Sequence, residues 1–192
     1  RDVHADPRAK MALGVVPDRP HVYEQLTALE FVRFIGALYN QRARDIDLRA
    51  YALFGQFELR GWEHTPLKDF SHGMRQKVLI TAAFAHEPSL LVVDEPMVGL
   101  DVQAARTLRV LLRAFCARGN TVVLTTHTLG VAEKLCDRAL ILANGRLVAD
   151  GPPAALVAQY GRGGEATLED VLLQLNGGGR PRTHRAPAGL IG

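Results

Sequence analysis

The sequence predicts an α/β fold in which a parallel sheet is flanked by helices and carries a small inserted helical subdomain. Strand-like and helix-like segments alternate from Leu79 to Leu142, an order typical of a parallel sheet with right-handed crossovers. Leu90–Val93 is an unbroken apolar run and is predicted to be a strand buried on both faces. The chain has 192 residues, 47% of them hydrophobic and 22% charged, which suits one such domain.

The composition limits the classes of partner. The net charge is +3 and the basic residues are scattered, so we expect no nucleic-acid partner. No apolar run reaches the length of a membrane span, so any link to a membrane is expected to go through a partner protein. Cys116 and Cys136 have no metal-site spacing and are expected to be structural thiols of a reducing compartment, with a disulfide as the alternative.

Residues 24–75 are predicted to form the helical subdomain. A Thr-x-x-Glu capping box at residues 27–30 predicts a helix from about Ala28 to Tyr39. Residues 41–65 show weaker helical periodicity and are predicted to form one or two further helices. The short apolar segment Leu13–Val16 precedes them and is predicted to be a strand, because a proline follows it.

Residues 76–150 are predicted to form the α/β core. Ser71 is the expected N-cap of a helix that ends before Pro88. Asp101 is the expected N-cap of a helix that runs to about Ala117.

Residues 151–176 are predicted to form C-terminal helices, the last of them capped by Thr-x-x-Asp at residues 167–170. Before them, a strand at Ala139–Leu142 and the Asn-Gly pair at residues 144–145 indicate a hairpin with a type I′ turn. Residues 177–192 are rich in Gly, Pro and Arg and are expected to be disordered.

Polar residues stand where two apolar strands end. Asp94 and Glu95 follow Leu90–Val93, and His127 follows a second predicted buried strand at residues 121–126. Ligands of open α/β sheets bind at the carboxyl ends of the strands. One carboxylate there can hold Mg²⁺ while its neighbour polarises a water. The plainer interpretation is a turn with two solvated acids and a buried histidine with ordinary hydrogen bonds.

The helix that begins after Ser71 has a Ser-x-Gly start. The backbone amides of a helix N-terminus form an anion site, and Gly73 allows a phosphate to approach the backbone closely. Ser71 and Asp101 could equally be N-caps alone, and His72 a tolerated substitution for glycine.

Each of these patterns is weak alone, but their occurrence in a fixed order along the chain is a specific combination. A Ser-x-Gly helix start, a strand ending in Asp-Glu, Gly-Leu-Asp at residues 99–101 and a strand ending in His follow in that order. From about Asp2 to Leu175 the chain resembles the ATP-binding subunits of ABC transporters, which implies a P-loop NTPase-type sheet. The Ser-His-Gly signature and residues 167–171 are similar to subunits of ABC-2 type exporters.

The resemblance implies a role for each of these residues, with ATP and Mg²⁺ as cofactors. Asp94 would hold Mg²⁺ through water, Glu95 would be the general base, and His127 would contact the γ-phosphate. Asp101 would belong to the D-loop at a dimer interface. Residues 71–73 would be the signature motif, which binds the γ-phosphate of ATP held by the opposite subunit.

The sequence departs from the family pattern at three places. Asp18 stands near the position of the usual Q-loop glutamine and is a second candidate for Mg²⁺, and Met74 replaces a glutamine of many signatures. Nothing matches Gly-x-x-x-x-Gly-Lys-[Ser/Thr], the Walker A phosphate loop, which in the family precedes the position of Arg1. We therefore expect an N-terminally truncated subunit whose missing phosphate-loop strand would lie between the strands at residues 121–126 and 139–142.

Such a chain is expected to be inactive alone, because the Walker A loop is absent. It is also expected to be poorly stable and prone to aggregate, because two strands would lack a neighbour.

The function expected from the resemblance is ATP binding and hydrolysis that powers transport, in the direction of export. The expected partners are a membrane-spanning permease and a second ATP-binding subunit, with the chain at the cytoplasmic face of the cell membrane. The segment Arg19–Tyr39 is expected to meet the permease, with Tyr23 and Phe31 as candidate contacts or core residues. The domain is predicted to span residues 1–176.

Two alternatives belong to other classes. One is a non-catalytic module that only dimerises or interacts. The other is a soluble ABC-type ATPase acting on DNA or the ribosome, which the lack of sustained heptads and of a second ATPase domain disfavours.

Overall fold

The computed structural model of the protein describes residues 6–161 and 166–176. The chain divides into two compact units, one ending at His127 and the other beginning at Thr128. The α/β fold with a parallel sheet flanked by helices is confirmed.

In the first unit, the elements in chain order are α1 (Pro7–Met11), β1 (Leu13–Val16), α2 (Ala28–Leu38), α3 (Ala43–Gln56), a 3₁₀ turn (Leu67–Asp69), α4 (His72–Ala85), β2 (Leu90–Asp94), α5 (Val102–Ala117) and β3 (Thr121–Thr125). In the second unit, they are α6 (Leu129–Leu135), β4 (Ala139–Ala143), β5 (Arg146–Gly151), α7 (Pro153–Tyr160) and α8 (Leu168–Asn176).

The sheet of the first unit has three parallel strands in the order β1-β2-β3. The central strand was expected to be buried on both faces. Leu91 and Val93 are fully buried, but Leu90 and Val92 on the other face are only half-buried, so that expectation holds for one face alone.

The burial expected for β3 is wrong. Thr121, Val123 and Thr125 are exposed, and Val122 and Leu124 are half-buried. Among the described residues β3 pairs only with β2, so it is an edge strand with one neighbour rather than two.

Helix α2 begins where its capping box predicts. The Thr27 hydroxyl accepts from the Glu30 amide at 3.3 Å, and the Glu30 carboxylate accepts from the Thr27 amide at 2.9 Å. Helices α2, α3 and α4 pack against one another, with Phe31 in their core and Tyr23 exposed. Phe31, which the sequence left open as either a permease contact or a core residue, is therefore a core residue. Of residues 41–65, one helix forms and the remainder are turns.

The second unit is built on the β4–β5 hairpin. Asn144 and Gly145 have φ values of 50° and 73°, as a type I′ turn requires. Ile141 of this hairpin packs with side chains of α7 and α8, among them Leu156 and Val171. The Asn-Gly pair predicted a hairpin after β4, and the antiparallel pairing of β4 with β5 confirms it. Among the described residues β4 has no parallel partner, so its predicted place in the parallel sheet stays a prediction.

Helix α8 is capped as the sequence predicts. The Asp170 carboxylate accepts from the amide and the hydroxyl of Thr167, both at 2.9 Å. The tail predicted to be disordered, residues 177–192, lies outside the described residues. No helix in residues 6–161 or 166–176 combines the length and apolarity needed to cross a membrane.

Candidate functional site

The carboxyl end of β2 carries the two acids that the sequence singles out. Asp94 is the last residue of β2 and pairs in register with Thr125 of β3, whose hydroxyl donates to Asp94 Oδ1. Because the three strands are parallel, Asp18, two residues past β1, belongs to the same edge of the sheet. Asp18 is exposed and lies 3.9 Å from the Nε of Arg19.

Glu95 turns away from the strand in an unusual backbone conformation. Its φ is +43°, a left-handed value that few residues other than glycine adopt, and its amide donates to the Thr125 carbonyl at 3.0 Å. Its carboxylate meets the residues that follow β3. The Thr126 hydroxyl donates to Oε2 at 3.0 Å, the His127 amide donates to Oε1, and Nδ1 of His127 lies 2.7 Å from Oε1.

These contacts fix the hydrogen-bonding roles of both side chains. With Glu95 ionised, its oxygens only accept, so Nδ1 of His127 carries the proton they share. In the neutral imidazole Nε2 is then an acceptor. The His127 side chain is 79% exposed and that of Glu95 only 20%, so the histidine has room to turn while the glutamate is held.

The start of α4 forms as the sequence predicts. Ser71 is the N-cap, and its hydroxyl accepts from the amide of Met74 at 3.2 Å. The amides of the first helical turn have no partner within the helix, and those of His72 and Gly73 precede the capped one. Ser71 and His72 are exposed, so this helix end is open to a ligand.

Asp101 is an N-cap and an ion-pair partner at once. Its Oδ1 accepts from the Ala104 amide at 2.7 Å, and its Oδ2 lies 2.8 Å from the ammonium of Lys77 on α4. The hydrogen bond from Lys77 and that from the Ala104 amide lower the pKa of the Asp101 carboxyl. Sequence reasoning assigned no role to Lys77. The sequence signal was a lysine directly before the apolar run Val78–Ile80 of a predicted helix. In the structure Gln76–Ala85 are all buried.

The structure thus brings the predicted residues into two groups. Asp94, Glu95 and His127 meet at the carboxyl ends of β2 and β3, while the start of α4 contacts the loop that ends at Asp101. Within the described residues no three His, Cys, Asp or Glu side chains are grouped as a metal cage. Exposed Asp94, with Oδ1 engaged by a hydroxyl, suits a Mg²⁺ ion that takes its remaining ligands from water and phosphate.

Comparisons with known proteins agree with this architecture. A family model described as "AAA domain, putative AbiEii toxin, Type IV TA system" matches residues 16–133. The Nod factor export ATP-binding protein I of Cupriavidus pinatubonensis is 33% identical over 79% of this chain and 46% of its own length. The protein of the same description from Rhizobium meliloti is 34% identical, over 78% of this chain and 44% of its own. The chain spans about half the length of these relatives.

Solved structures show the same relationship. One described as the structure of the ATP binding subunit of an ABC transporter superposes with a TM-score of 0.84 at 33% identity, covering 91% of this chain and 73% of that one. CbiO1 from Clostridium perfringens, part of the ABC transporter complex cbiONQ, has a TM-score of 0.64 at 23% identity over 79% and 61% of the two chains, and shows the fold alone. The chain belongs to the family of ATP-binding subunits of ABC transporters.

Proposed function

We propose that this chain carries the magnesium-holding and water-activating residues of an ATPase that powers transport through a membrane-spanning partner. The observation that carries the proposal is the meeting of Asp94, Glu95 and His127 at one edge of the sheet. Phosphoryl transfer needs chiefly positioning and charge stabilisation, and these three side chains offer a metal ligand, a base and a donor.

Asp94 would hold Mg²⁺ through water, with Asp18 as a second oxygen ligand from the same edge of the sheet. When bound, the ion would neutralise charge that develops on the phosphate oxygens.

Glu95 would act as the general base. In the structure Oε1 accepts from the amide and from Nδ1 of His127, so it has little capacity left for a water. A rotation of the His127 ring towards the γ-phosphate would free Oε1 to accept a proton from the attacking water. His127 would then contact the phosphate. Because the ring would leave Glu95 only when a γ-phosphate is present to bind it, the base would become available only with ATP bound.

The start of α4 would bind phosphate from a second copy or a related subunit. Ser71, His72 and Gly73 would contribute backbone amides and a hydroxyl to the γ-phosphate of ATP held opposite. Asp101 would lie at the dimer interface. The domain boundaries proposed are 1–176 for the ATPase domain, with residues 24–75, 76–150 and 151–176 as its parts.

The transport direction proposed is export, since the relatives at 33% and 34% identity carry export in their names. A permease would contact the segment Arg19–Tyr39, where exposed Tyr23 packs edge-on against Phe34 with ring centroids 5.2 Å apart. The chain would then lie at the cytoplasmic face of the membrane.

A second candidate is a non-catalytic module that binds a partner subunit but not ATP in cis, since the exposed start of α4 needs no ATP held by its own chain. In this case the start of α4 would still serve the ATP of a partner.

The test measures Mg-ATP binding by titration calorimetry and phosphate release, with the full product of the gene that contains these residues. The ATPase proposal expects binding, and a loss of phosphate release of about 10²- to 10⁴-fold in Glu95→Gln with binding retained. Glu169→Gln, an exposed glutamate in the first turn of α8, is the matched control and should behave as the unsubstituted protein. Hydrolysis that survives Glu95→Gln would contradict the assignment, and no binding by the full product would favour the non-catalytic module.

A further inference from the structure

The loop at residues 96–101, here called the 96–101 loop, joins β2 to α5 and packs on the first turn of α4. Gly99 has a φ of +78°, and a Cβ placed there would lie 2.6 Å from Cδ2 and 2.9 Å from Nε2 of His72. The imidazole edge therefore lies directly against the Cα of Gly99. A Cβ placed on Gly73 would in turn lie 2.6 Å from the Gly99 carbonyl oxygen. Each glycine leaves room for a group from the other segment.

A second contact joins the same two segments. The Lys77 ammonium lies 2.8 Å from Asp101 Oδ2, and the Lys77 side chain is only 10% exposed. Lys77 and Gly73 are four residues apart on α4 and so share a helix face. The 96–101 loop is thus held to α4 at Gly99 and again at its last residue.

The other end of the loop leads directly to Glu95. Its first hydrogen bond is from the Val98 amide to the Glu95 carbonyl, at 3.0 Å, and the next is from the Leu100 amide to the Met97 carbonyl, at 3.3 Å. The loop is therefore a short series of hydrogen-bonded turns between Glu95 and Asp101. A shift of one end is expected to move the other, because the connection is too short to absorb it.

We propose that the His72 side chain is a positioning residue that holds the 96–101 loop on α4, so that the start of α4 and the backbone after Glu95 move as one body. The ring covers Gly99 at the surface, and a smaller side chain would lose these van der Waals contacts and leave Gly99 to water. The imidazole ring of His72 makes this contact. The phosphate contact proposed above for the same residue is made by its backbone amide, so the two roles use different groups.

The consequence for hydrolysis rests on the proposed function. Phosphate bound at the start of α4 would bias the position of the 96–101 loop and, through it, of Glu95 in the same subunit. The contact itself does not depend on nucleotide, so it is tested without ATP.

The test is hydrogen–deuterium exchange of the full product of the gene that contains these residues, without nucleotide, resolved to the peptides that cover the 96–101 loop. His72→Ala is expected to raise exchange of the loop amides about tenfold, because the loop loses one of its two side-chain contacts with α4, while β2 amides keep their rates. His72→Phe restores a flat ring over Gly99 and should return the rates to within about threefold of the unsubstituted chain. His64→Ala, at an exposed histidine between α3 and the 3₁₀ turn, is the matched control and should change nothing in the loop.

Unchanged loop exchange in His72→Ala would overturn the proposal, and so would equal acceleration throughout the first unit, since that is a global loss of stability. A failure of His72→Phe to restore the rates would also overturn it, because the role is assigned to the shape of the ring. None of these outcomes depends on ATP binding, so the ATPase proposal can fail while this one stands, and the reverse.

Discussion

Nδ1 of His127 lies 2.7 Å from Oε1 of Glu95, across 32 residues of sequence. The residue proposed to contact the γ-phosphate therefore holds the residue proposed to activate water. Glu95 reaches this position because its φ of +43° turns it out of β2 towards the end of β3. In this arrangement the base is occupied, and freeing it requires the histidine to move.

We predict that His127→Ala lowers the rate of ATP hydrolysis by the full gene product about 10²-fold or more, while the Kd for Mg-ATP changes less than about threefold. The variant loses the proposed phosphate donor and leaves Glu95 without one of its donors. Phosphate release and equilibrium binding measure the two effects separately. A variant that loses binding and hydrolysis together would show that His127 acts in holding ATP rather than in the reaction.

Substitutions at Asp101 separate its two contacts. Asp101→Asn keeps the N-cap of α5 but removes the charge opposite Lys77, and Asp101→Ala removes both. We expect the alanine variant to lose about 1 kcal/mol more unfolding free energy than the asparagine variant, the usual value of an N-cap. Urea unfolding measures the difference, and equal losses in the two variants would contradict it.

The same carboxylate makes the stability of the first unit depend on pH. Because Lys77 and the Ala104 amide lower its pKa in the folded chain, its contribution is complete above the ordinary value of 3.8 and is lost as pH falls through the folded value. The contribution is modest, since the Asp101 side chain is largely exposed to solvent. Asp101→Asn should remove this part of the acid dependence.

His86 gives a larger pH effect at a higher pH. The residue is 3% exposed and stacks on Tyr39, with ring centroids 3.7 Å apart, and burial lowers its pKa to about 4 from 6.5, with the Arg49 charge as a smaller cause. As pH falls from 6.5 towards 4, the unfolded chain binds a proton that the folded chain does not. Stability should therefore fall across this window, by on the order of 3 kcal/mol once it is complete.

The matched variant is His86→Phe, which keeps a ring on Tyr39 and cannot titrate. Its unfolding free energy should be flat between pH 6.5 and 4.5 where that of the unsubstituted chain falls. Parallel curves for the two proteins would show that another group carries the dependence.

The exposed edge of the sheet should govern self-association. Val123 is 46% exposed on β3, which among the described residues pairs only with β2. A charged side chain on an edge strand opposes pairing with another chain, so Val123→Lys should reduce aggregation measured by light scattering, with unfolding free energy changed by less than about 0.5 kcal/mol. Val110→Lys, at an exposed position on α5, should not have this effect. Equal effects of the two substitutions would indicate that net charge, rather than the edge, controls solubility.

Features that depend on short stretches of chain were predictable from the sequence alone. The capping box at Thr27, the N-caps Ser71 and Asp101, and the Asn144-Gly145 turn all formed where predicted, because each is a hydrogen bond or a backbone preference within a few residues. The parallel pairing of β2 with β3 followed from the alternation of elements, and it placed Asp94, Glu95 and His127 at one edge.

The contacts of those side chains depend on how distant segments pack, and local sequence patterns do not predict them. Burial of β3 was predicted from its apolar composition, but burial depends on a neighbouring strand, which composition does not supply. The Lys77–Asp101 ion pair and the packing of His72 on Gly99 join segments more than twenty residues apart, and no local periodicity encodes such contacts. Both contacts form because α4 and the 96–101 loop lie very close together. At Gly73 and Gly99 a Cβ atom would overlap the opposite segment, so glycine is needed at both positions.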